Sequence, residues 1–424
     1  MAYLDYTGAS LFASSVLAQD LNRLSATVLG NPHSHSAPSL AATDAVSQAR
    51  RAVLQFLGAD DAEYAVIFTA NASAACKLVG ESFPFETGSA LLLAADNHNS
   101  VVGMREFARA RGATVEILPI SAELRLTIRP ETLPAAPRAP SLLAMPAQSN
   151  FSGVRHSLDL VAAARRRGWR VLLDAAAYLP TADLNLTEIQ PDFLCLSLYK
   201  ISGYPTGVGA LVARREALAT LRRPWFAGGT VDWVSMAHDR HRLTNAVEAF
   251  EDGSPHFLAL GAVPLALRAV VESDRPRLRR HLARLTEALI MELVDACHPG
   301  GQPLVRLHGP RDMHQRGSTV SFTLLDHRGA AIPFWEVESA ARAHRVAVRG
   351  GCFCNPGCAE RAFGLSDERM PQCVDQLGDQ FSIPAFATCM GDRPVGAVRV
   401  SMGLGSLQRD VEQFLRFVHT FARG

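Results

Sequence analysis

Three cysteines lie within seven residues of one glycine-rich stretch, RGGCFCNPGC, at residues 349–358. Cys352 and Cys354 are separated by a single residue, whereas a structural zinc site needs four ligands and usually begins with a Cys-x2-4-Cys pair. Cys373 and Cys389 stand isolated and supply no second pair, so we expect no metal. Eight cysteines in 424 residues indicate a reducing compartment, which disfavours a disulfide here. Two uses remain, as small buried hydrophobic residues or as a catalytic thiol.

A lysine and an aspartate each follow an apolar segment of the chain. Lys200 comes directly after DFLCLSLY, and Asp174 comes directly after RVLL. A buried ammonium is costly and tends to lose its proton, which suits an amine that must form a Schiff base. A buried aspartate could hold a ring nitrogen protonated, as pyridoxal phosphate requires to act as an electron sink.

Small residues supply a candidate phosphate site. Ala72 and Ser73 open a predicted helix after AVIFTA, so they offer backbone N–H groups and a hydroxyl, and Ser197 could add another hydroxyl. Taken singly, each candidate has an ordinary structural explanation, because lysines snorkel, aspartates sit in turns and serines cap helices. Their coincidence at the ends of apolar segments favours a pyridoxal-phosphate site.

The elements that must position these residues alternate in type along the chain. Helical patterns at 100–112 and 157–168 lie between short apolar runs, which predicts an α/β fold with a mainly parallel sheet covered by helices on both faces. Ligands of such sheets bind at the carboxyl ends of the strands. The predicted strands are 65–70, 90–95, 114–120, 141–146, 170–177, 192–199 and 209–214.

The pattern of apolar runs and helical segments changes after residue 265, which predicts a smaller α+β domain. We expect residues 21–265 to form the large, cofactor-binding domain, and residues 1–20 with 266–424 to form the small one. The small domain would carry the cysteine stretch. Its predicted elements are a helix at 274–296, a strand at 318–325, a helix at 335–345, a strand at 396–403 and a final helix.

Composition narrows the function classes. A formal net charge of +1 without a long Lys/Arg run argues against nucleic-acid binding. The start, MAYLDYTGASLF, lacks the basic and apolar regions of a signal peptide, and no apolar run approaches the roughly 20 residues that span a bilayer. We therefore expect a cytoplasmic protein that acts on a small molecule.

Ten segments carry a resemblance over nearly the whole chain. In their order along the sequence they resemble the class V (fold-type I) pyridoxal-phosphate enzymes, in particular the aminotransferase-like domain of molybdenum cofactor sulfurases and the related cysteine desulfurases. The segments are YLDYTGASLF, GNPHS, DNHNSVVGMR, QSNFSGVR, LLDAAAY, SLYKISGYPTGVGAL, FAGGT, FEDGS, VRGGCFCNPGC and GAVRVSMG.

The resemblance implies a role for each candidate in cofactor binding. Lys200 would form the Schiff base, Asp174 would pair with the pyridine nitrogen, and His98 would stack on the ring. His98 alone would otherwise be taken for a capping or core histidine. Asn150 would hydrogen-bond the ring hydroxyl. The phosphate would be held by Ala72, Ser73 and Ser197.

The same resemblance implies the remaining parts of the reaction. Thr230 would reach the phosphate of a partner subunit, which implies a homodimer. Arg399 would bind the carboxylate of the substrate, L-cysteine, through a bidentate pair. Cys354 would be the nucleophile that carries sulfur to an acceptor, on a loop whose glycines, Gly350, Gly351 and Gly357, suit a flexible segment.

Several alternatives stay open at this point. The same fold could serve a C–S lyase or an aminotransferase, a kynureninase-like hydrolase, or a catalytically silent scaffold. Selenocysteine or cysteine sulfinate could replace L-cysteine as substrate. Full-length cofactor sulfurases continue into a second domain that this sequence lacks, so we expect a separate acceptor protein or a small molecule as readily as the molybdenum cofactor.

Overall fold

Apolar strand segments and amphipathic helices alternate in the computed structural model, which describes residues 1–245, 247–365 and 367–423. The strands are, in chain order, β1 (Ala2–Tyr3), β2 (Tyr64–Thr69), β3 (Ala90–Ala94), β4 (Thr114–Leu118), β5 (Leu142–Pro146), β6 (Arg170–Asp174), β7 (Phe193–Ser197), β8 (Gly209–Arg214), β9 (Val231–Ser235), β10 (Arg240–Leu243), β11 (Val305–His308), β12 (Thr319–Leu324), β13 (Val346–Ala347), β14 (Arg349–Gly351) and β15 (Ala397–Ser401).

The helices frame these strands, and several begin at a side-chain cap. Asp274 caps α11, and Asn355 caps α13, each by accepting from a backbone N–H three residues ahead. The helices are α1 (Ser14–Ala26), α2 (Ala37–Phe56), α3 (Ala72–Ser82), α4 (Asn99–Val102), α5 (Met104–Ala110), α6 (Asp159–Arg166), α7 (Leu198–Ser202), α8 (Arg215–Leu218), α9 (Phe257–Leu260), α10 (Val263–Val271), α11 (Arg275–Asp295), α12 (Phe334–Ala343), α13 (Pro356–Phe363), α14 (Arg369–Leu377), α15 (Ile383–Cys389) and α16 (Gln408–His419).

One seven-stranded sheet forms the centre of the molecule, in the order β2-β8-β7-β6-β5-β3-β4. Strands β7, β6, β5, β3 and β4 run parallel, and β8 is antiparallel to both of its neighbours. Because successive side chains point to opposite faces, Leu172 and Leu173 of β6 enter two different hydrophobic cores. Helices cover both faces, so the prediction of an α/β fold with a mainly parallel sheet is confirmed.

A four-stranded antiparallel sheet, in the order β11-β12-β15-β14, follows later in the chain and has its own core. Ala2 and Leu4 from the N-terminus pack in this core, and β1 pairs in parallel with β13. The N-terminal segment therefore belongs physically with the C-terminal sheet. The predicted boundary near residue 265 stays a prediction.

One expectation about the cysteines is wrong. Cys373 in α14 and Cys389 at the end of α15 are not isolated, since a disulfide joins them across a Cα–Cα distance of 5.8 Å. The two helices pack against each other and bring together cysteines that are 16 residues apart in sequence. Spacing alone could not indicate this pairing, because it depends on how the two helices fold back.

Among the described residues, no helix combines the length and the apolar character needed to cross a membrane.

Candidate active site

A cavity of about 370 Å³ opens at the carboxyl edge of the seven-stranded sheet. Parallel strands bring their carboxyl ends to one edge, so residues that follow β2, β5, β6 and β7 meet there although they are far apart in sequence. Most of the predicted cofactor-binding residues line this cavity, namely Ala72, Ser73, His98, Asn150, Asp174, Ser197 and Lys200.

Lys200 lies inside the short helix α7 rather than at the end of β7, where it was expected. Burial lowers the pKa of its ammonium, while Asp174 opposes the shift and Arg399 adds to it. The structure thus places a lysine with a lowered pKa in the wall of the cavity, which is the condition for an amine that acts as a nucleophile and then as a base.

Asp174 ends β6 and is 9% exposed. Its Oδ1 accepts from the backbone N–H of Ala176 at 2.9 Å, which fixes the orientation of the carboxylate at the cavity wall. A carboxylate in this position fits the partner of a protonated ring nitrogen.

The predicted phosphate site forms where α3 begins. Ala72 donates its backbone N–H to Oγ of Ser197 (2.9 Å), and the side chain of Asn71 caps α3 by accepting from Ala74 N (2.9 Å). The hydroxyl groups of Ser73 and Ser100 are hydrogen-bonded to each other, with their oxygens 2.5 Å apart. A helix N-terminus surrounded by hydroxyl groups fits an anion.

A glycine allows this close packing. A Cβ at Gly209, the first residue of β8, would lie 2.5 Å from Cα of Asn71. Only a residue without a side chain lets β8 approach the start of α3 so closely. Nothing in the sequence except the glycine itself indicates that Gly209 and Asn71 are in contact.

His98 is a helix cap, and its predicted stacking on the cofactor ring stays a prediction. It caps α4, since its Nδ1 accepts from Ser100 N at 3.1 Å, and its ring also lines the cavity. Burial lowers the pKa of the imidazole, Asp174 opposes this, and Lys200 and Arg399 contribute further lowering. A neutral ring fixed by its own cap is suited to stacking on a flat cofactor.

Asn150 has a contact that the sequence did not indicate. Its Nδ2 donates to the carbonyl of Phe353 at 2.7 Å, and its Oδ1 accepts from Nδ2 of Asn355 at 2.9 Å. Its predicted bond to a ring hydroxyl stays a prediction. The structure adds that the same amide anchors the stretch that carries the cysteines.

The cysteine loop, which we define as residues 352–355, is hydrogen-bonded to the segments of His98 and Asn150, two residues that line the cavity. The carbonyl of Cys354 accepts from Asn99 N at 2.7 Å, and the Cys354 side chain is exposed. Asn355 is fully buried and donates to the carbonyl of Asp96 at 2.7 Å. Several bonds to two other segments therefore fix the backbone that carries the exposed thiol.

The flanking thiols have different surroundings. Cys358 is fully buried, and burial raises its pKa well above the ordinary value of a thiol. Cys352 is half-buried, and burial raises its pKa as well. Both environments favour the neutral thiol and fit the role of small hydrophobic residues.

Arg399 of β15 contacts the ring of Phe353 in the cysteine loop and is 2% exposed. It donates to the carbonyl of Asn150 and to Oδ1 of Asp5, both at 3.0 Å. Asp5 also accepts two hydrogen bonds from Nε and one from Nη2 of Arg349, at 2.6–3.1 Å. Burial lowers the pKa of Arg399 to about 10, against the charge of Asp5. Within the described chain its Nε finds no hydrogen-bond acceptor.

Thr230 lies apart from the cavity of its own chain. It is fully buried, and its hydroxyl bonds both the N–H and the carbonyl of Ala227 at 2.8 Å. Its predicted contact with a partner subunit's cofactor stays a prediction.

Sequence reasoning missed several residues of the site. Asn355 had a signal, because an asparagine before a proline is a typical helix start. Asp5 had a weaker signal within YLDYTG. Gln148 lines the cavity and accepts from Nε of Arg155 at 2.8 Å, and this contact depends on the fold alone.

A half-buried lysine that shares a cavity with an aspartate and a helix N-terminus, at the carboxyl edge of the sheet, defines a fold-type I pyridoxal-phosphate enzyme. The chain belongs to the aminotransferase class-V family, whose model matches residues 2–414. Enzymes of this family use pyridoxal phosphate, and the residues of the cavity fit it.

Comparison with individual proteins agrees with this family. Molybdenum cofactor sulfurases of Bos taurus and Solanum lycopersicum are each 34% identical to the chain, over 444 and 460 residues. These alignments include 98% and 99% of the chain but only 49% and 55% of the relatives. The chain thus spans about half the length of the curated relatives it matches.

Solved structures show the same fold. The apo cysteine desulfurase from Thermococcus onnurineus NA1 gives a TM-score of 0.82 at 24% identity, covering 100% of this chain and 94% of that one. The cysteine desulfurase CsdA from Escherichia coli gives a TM-score of 0.72 at 21% identity, with the same coverage.

Proposed function

We propose that this chain is a pyridoxal-phosphate-dependent cysteine desulfurase, which converts L-cysteine to L-alanine and leaves a persulfide on Cys354. One observation carries the proposal, namely that the exposed Cys354 lies on a loop bonded to the segments of His98 and Asn150, which line a cavity with a half-buried, low-pKa lysine in its wall. A C–S lyase or an aminotransferase would have no use for a thiol held there.

The residues of the cavity would hold the cofactor. Asp174 would face the ring nitrogen, His98 the ring plane, and Ala72 with Ser73 and Ser197 the phosphate. When bound, pyridoxal phosphate supplies an electron sink that makes the Cα–H of an amino acid acidic. Lys200, with its lowered pKa, would accept that proton at Nζ.

Arg399 would orient the substrate by its carboxylate. Two of its N–H groups are committed to Asn150 and Asp5, and its Nε is a buried donor without an acceptor among the residues described. A buried unpaired donor costs free energy, and a carboxylate oxygen would satisfy it. Repositioning of Asp5 onto Arg349 alone would free a second N–H for a bidentate pair.

Sulfur would then pass to the protein. The Cys354 thiolate attacks the substrate sulfur, an S–S bond forms and the substrate C–S bond breaks. The bonding electron pair stays on Cβ, which takes up a proton to give alanine. A thiol reductant or an acceptor then removes the outer sulfur from Cys354.

The carbon product tests this proposal. We would incubate the protein with L-cysteine and dithiothreitol and identify the product, with Cys354→Ala and Cys297→Ala in parallel, since Cys297 is an exposed thiol elsewhere. We expect alanine from the wild type and from Cys297→Ala, and only background from Cys354→Ala. Pyruvate from all three proteins would indicate a lyase instead.

We also propose a homodimer. The segment around Thr230 exposes large apolar side chains, which is unusual for a surface that stays in water. Sedimentation analysis of the protein in solution measures whether it is a dimer. The exposed residues are Trp225, Phe226, Trp233, Val234 and Met236.

We further propose a cytoplasmic location and the domain division at residue 265.

The name of the sequence relatives points to the molybdenum cofactor as the destination of sulfur. We propose that the acceptor of this sulfur is a carrier protein or a small molecule.

A further inference from the structure

The middle residue of Cys-Phe-Cys is the buried part of the cysteine loop. Phe353 is 8% exposed, while Cys352 on one side is half-buried and Cys354 on the other is exposed. Phe353 and Cys354 have φ values of 56° and 54°, in the left-handed region that residues with a side chain rarely adopt. Such a conformation persists only where the surroundings enforce it.

The contacts of Phe353 show what enforces it. Its ring lies over the guanidinium of Arg399, 4.6 Å from Cζ to the ring centroid, and next to Phe151 at a centroid distance of 5.3 Å. Its carbonyl accepts from Asn150 at 2.7 Å. One residue therefore joins the cysteine loop to both the arginine and the asparagine of the site.

This ring leaves Arg399 able to bind a carboxylate. A cation–π contact uses the flat face of the guanidinium, whereas a carboxylate uses the N–H groups along its edge. The unpaired Nε lies on that edge. Phe353 and a substrate carboxylate can thus contact Arg399 at the same time.

We propose that Phe353 is a positioning residue, which fixes the Cys354 thiol relative to the substrate by stacking on the arginine that holds the substrate carboxylate. The proposal rests on the desulfurase function proposed above. It explains why an aromatic residue stands between two cysteines, since the ring fixes the loop while its neighbour stays exposed.

The test compares three variants of the full-length protein. Phe353→Leu keeps an apolar side chain but removes the π face, and Phe353→Tyr keeps that face. Phe363→Leu is the matched control, because Phe363 also packs on Phe151, with ring centroids 6.3 Å apart, and is likewise 8% exposed. Two quantities are measured, the hydrogen exchange of peptides covering 97–102 and 349–358 without substrate, and the kcat and KM for alanine formation.

We expect Phe353→Leu to speed up exchange at both peptides, because the amides of Asn99 and Asn355 bond carbonyls of the loop. We expect its kcat to fall about fivefold or more, with a smaller change in KM. Phe353→Tyr should retain kcat within about twofold, and Phe363→Leu should leave both kcat and loop exchange near the wild-type values.

Other results would overturn the proposal. Unchanged exchange in Phe353→Leu would mean that the ring does not fix the loop. Faster exchange with an unchanged kcat would mean that loop position does not limit sulfur transfer. If the wild type itself forms no alanine, the desulfurase function fails and the positioning role falls with it, whereas the exchange data still report whether Phe353 anchors the loop.

Discussion

At the scale of single residues, the glycines of the cysteine stretch serve close packing. A Cβ at Gly357 would lie 2.0 Å from the carbonyl oxygen of Ala95, and one at Gly350 would lie 2.4 Å from the ring of Phe334. We expected these glycines, with Gly351, to make the loop flexible. Gly351 has a φ of 116°, so it too has a conformational reason for its type.

The close packing at Gly357 predicts how an added methyl group there would change stability and activity. Gly357→Ala should lower the free energy of unfolding by roughly 1–3 kcal/mol and reduce desulfurase activity, because the Cβ meets backbone and displaces the start of α13. Urea unfolding followed by circular dichroism measures the change. Gly228→Ala is the control, since a Cβ at that position would meet nothing within 4 Å.

The two positions separate packing from flexibility. Equal stability of Gly357→Ala and the wild type, with a loss of activity, would restore flexibility as the reason for this glycine. Equal losses of stability in both variants would mean that the contact with Ala95 is not the cause, since the effect of the replacement on the unfolded chain alone would raise stability.

The residue types of the cofactor site were predictable, and their contacts were not. Lys200 and Asp174 could be found because a charged residue directly after an apolar segment is costly unless it has a use. The bond from Asn150 to Phe353 joins positions 203 residues apart and needs the fold. The chemical groups of the site can therefore be predicted from residue type, whereas their relative positions depend on tertiary contacts.

At the scale of elements, Asn355 connects three parts of the chain. Its Oδ1 accepts from Cys358 N at 3.1 Å and caps α13, and its Nδ2 donates to the carbonyl of Asp96 and to Oδ1 of Asn150. Asp96 follows β3 and Asn150 follows β5. One buried amide thus holds a helix of the cysteine stretch against the edge of the large sheet.

The donor bonds of this amide can be tested while its cap is kept. Asn355→Asp keeps an oxygen for the cap but loses both donor bonds and brings a carboxylate next to two oxygen acceptors, so we expect the free energy of unfolding to fall by about 2–4 kcal/mol near neutral pH. Chemical denaturation measures it. Ser382→Ala, which removes only the exposed cap of α15, should cost about 1 kcal/mol.

If Asn355 acted as a helix cap alone, Asn355→Asp would lose little stability, less than Ser382→Ala, because it keeps the cap oxygen. A larger loss for Asn355→Asp would support the three-way connection.

Elements were predictable where apolar runs were long. Strands β3, β5 and β7 of the central sheet are buried on both faces, so each is a nearly continuous apolar run, and its position follows from the sequence within a few residues. The hairpin of β9 and β10 lies at the surface with little apolar pattern, and it was missed. Burial is what makes an element visible in a sequence.

At the scale of the whole molecule, the two sheets are joined around a buried histidine. His308 of β11 bonds Oγ1 of Thr323 at 2.8 Å, and its ring meets Phe363 edge-on at a centroid distance of 5.0 Å. Phe151, which follows β5 of the large sheet, packs on both rings. A charge on His308 would therefore be placed in an apolar contact between the two halves of the fold.

Burial, with a contribution from Arg306, lowers the pKa of His308 from 6.5 to about 4. The unfolded chain takes up a proton near pH 6.5, and the folded protein does so only near pH 4, so stability is lost as the pH falls through this window. The difference of about 2.5 pKa units corresponds to roughly 3 kcal/mol. Well above pH 6.5 the histidine is neutral in both states and adds no pH dependence.

The pH dependence of unfolding tests this account. We expect His308→Gln, which can bond Thr323 and does not titrate, to lose about 3 kcal/mol less than the wild type between pH 6.5 and pH 4. Urea unfolding of both proteins across this range measures the difference, with His327→Gln as the control because His327 is exposed. Parallel curves for the wild type and His308→Gln would show that this histidine does not couple the contact between the sheets to pH, and acid sensitivity would then belong to other groups of the fold.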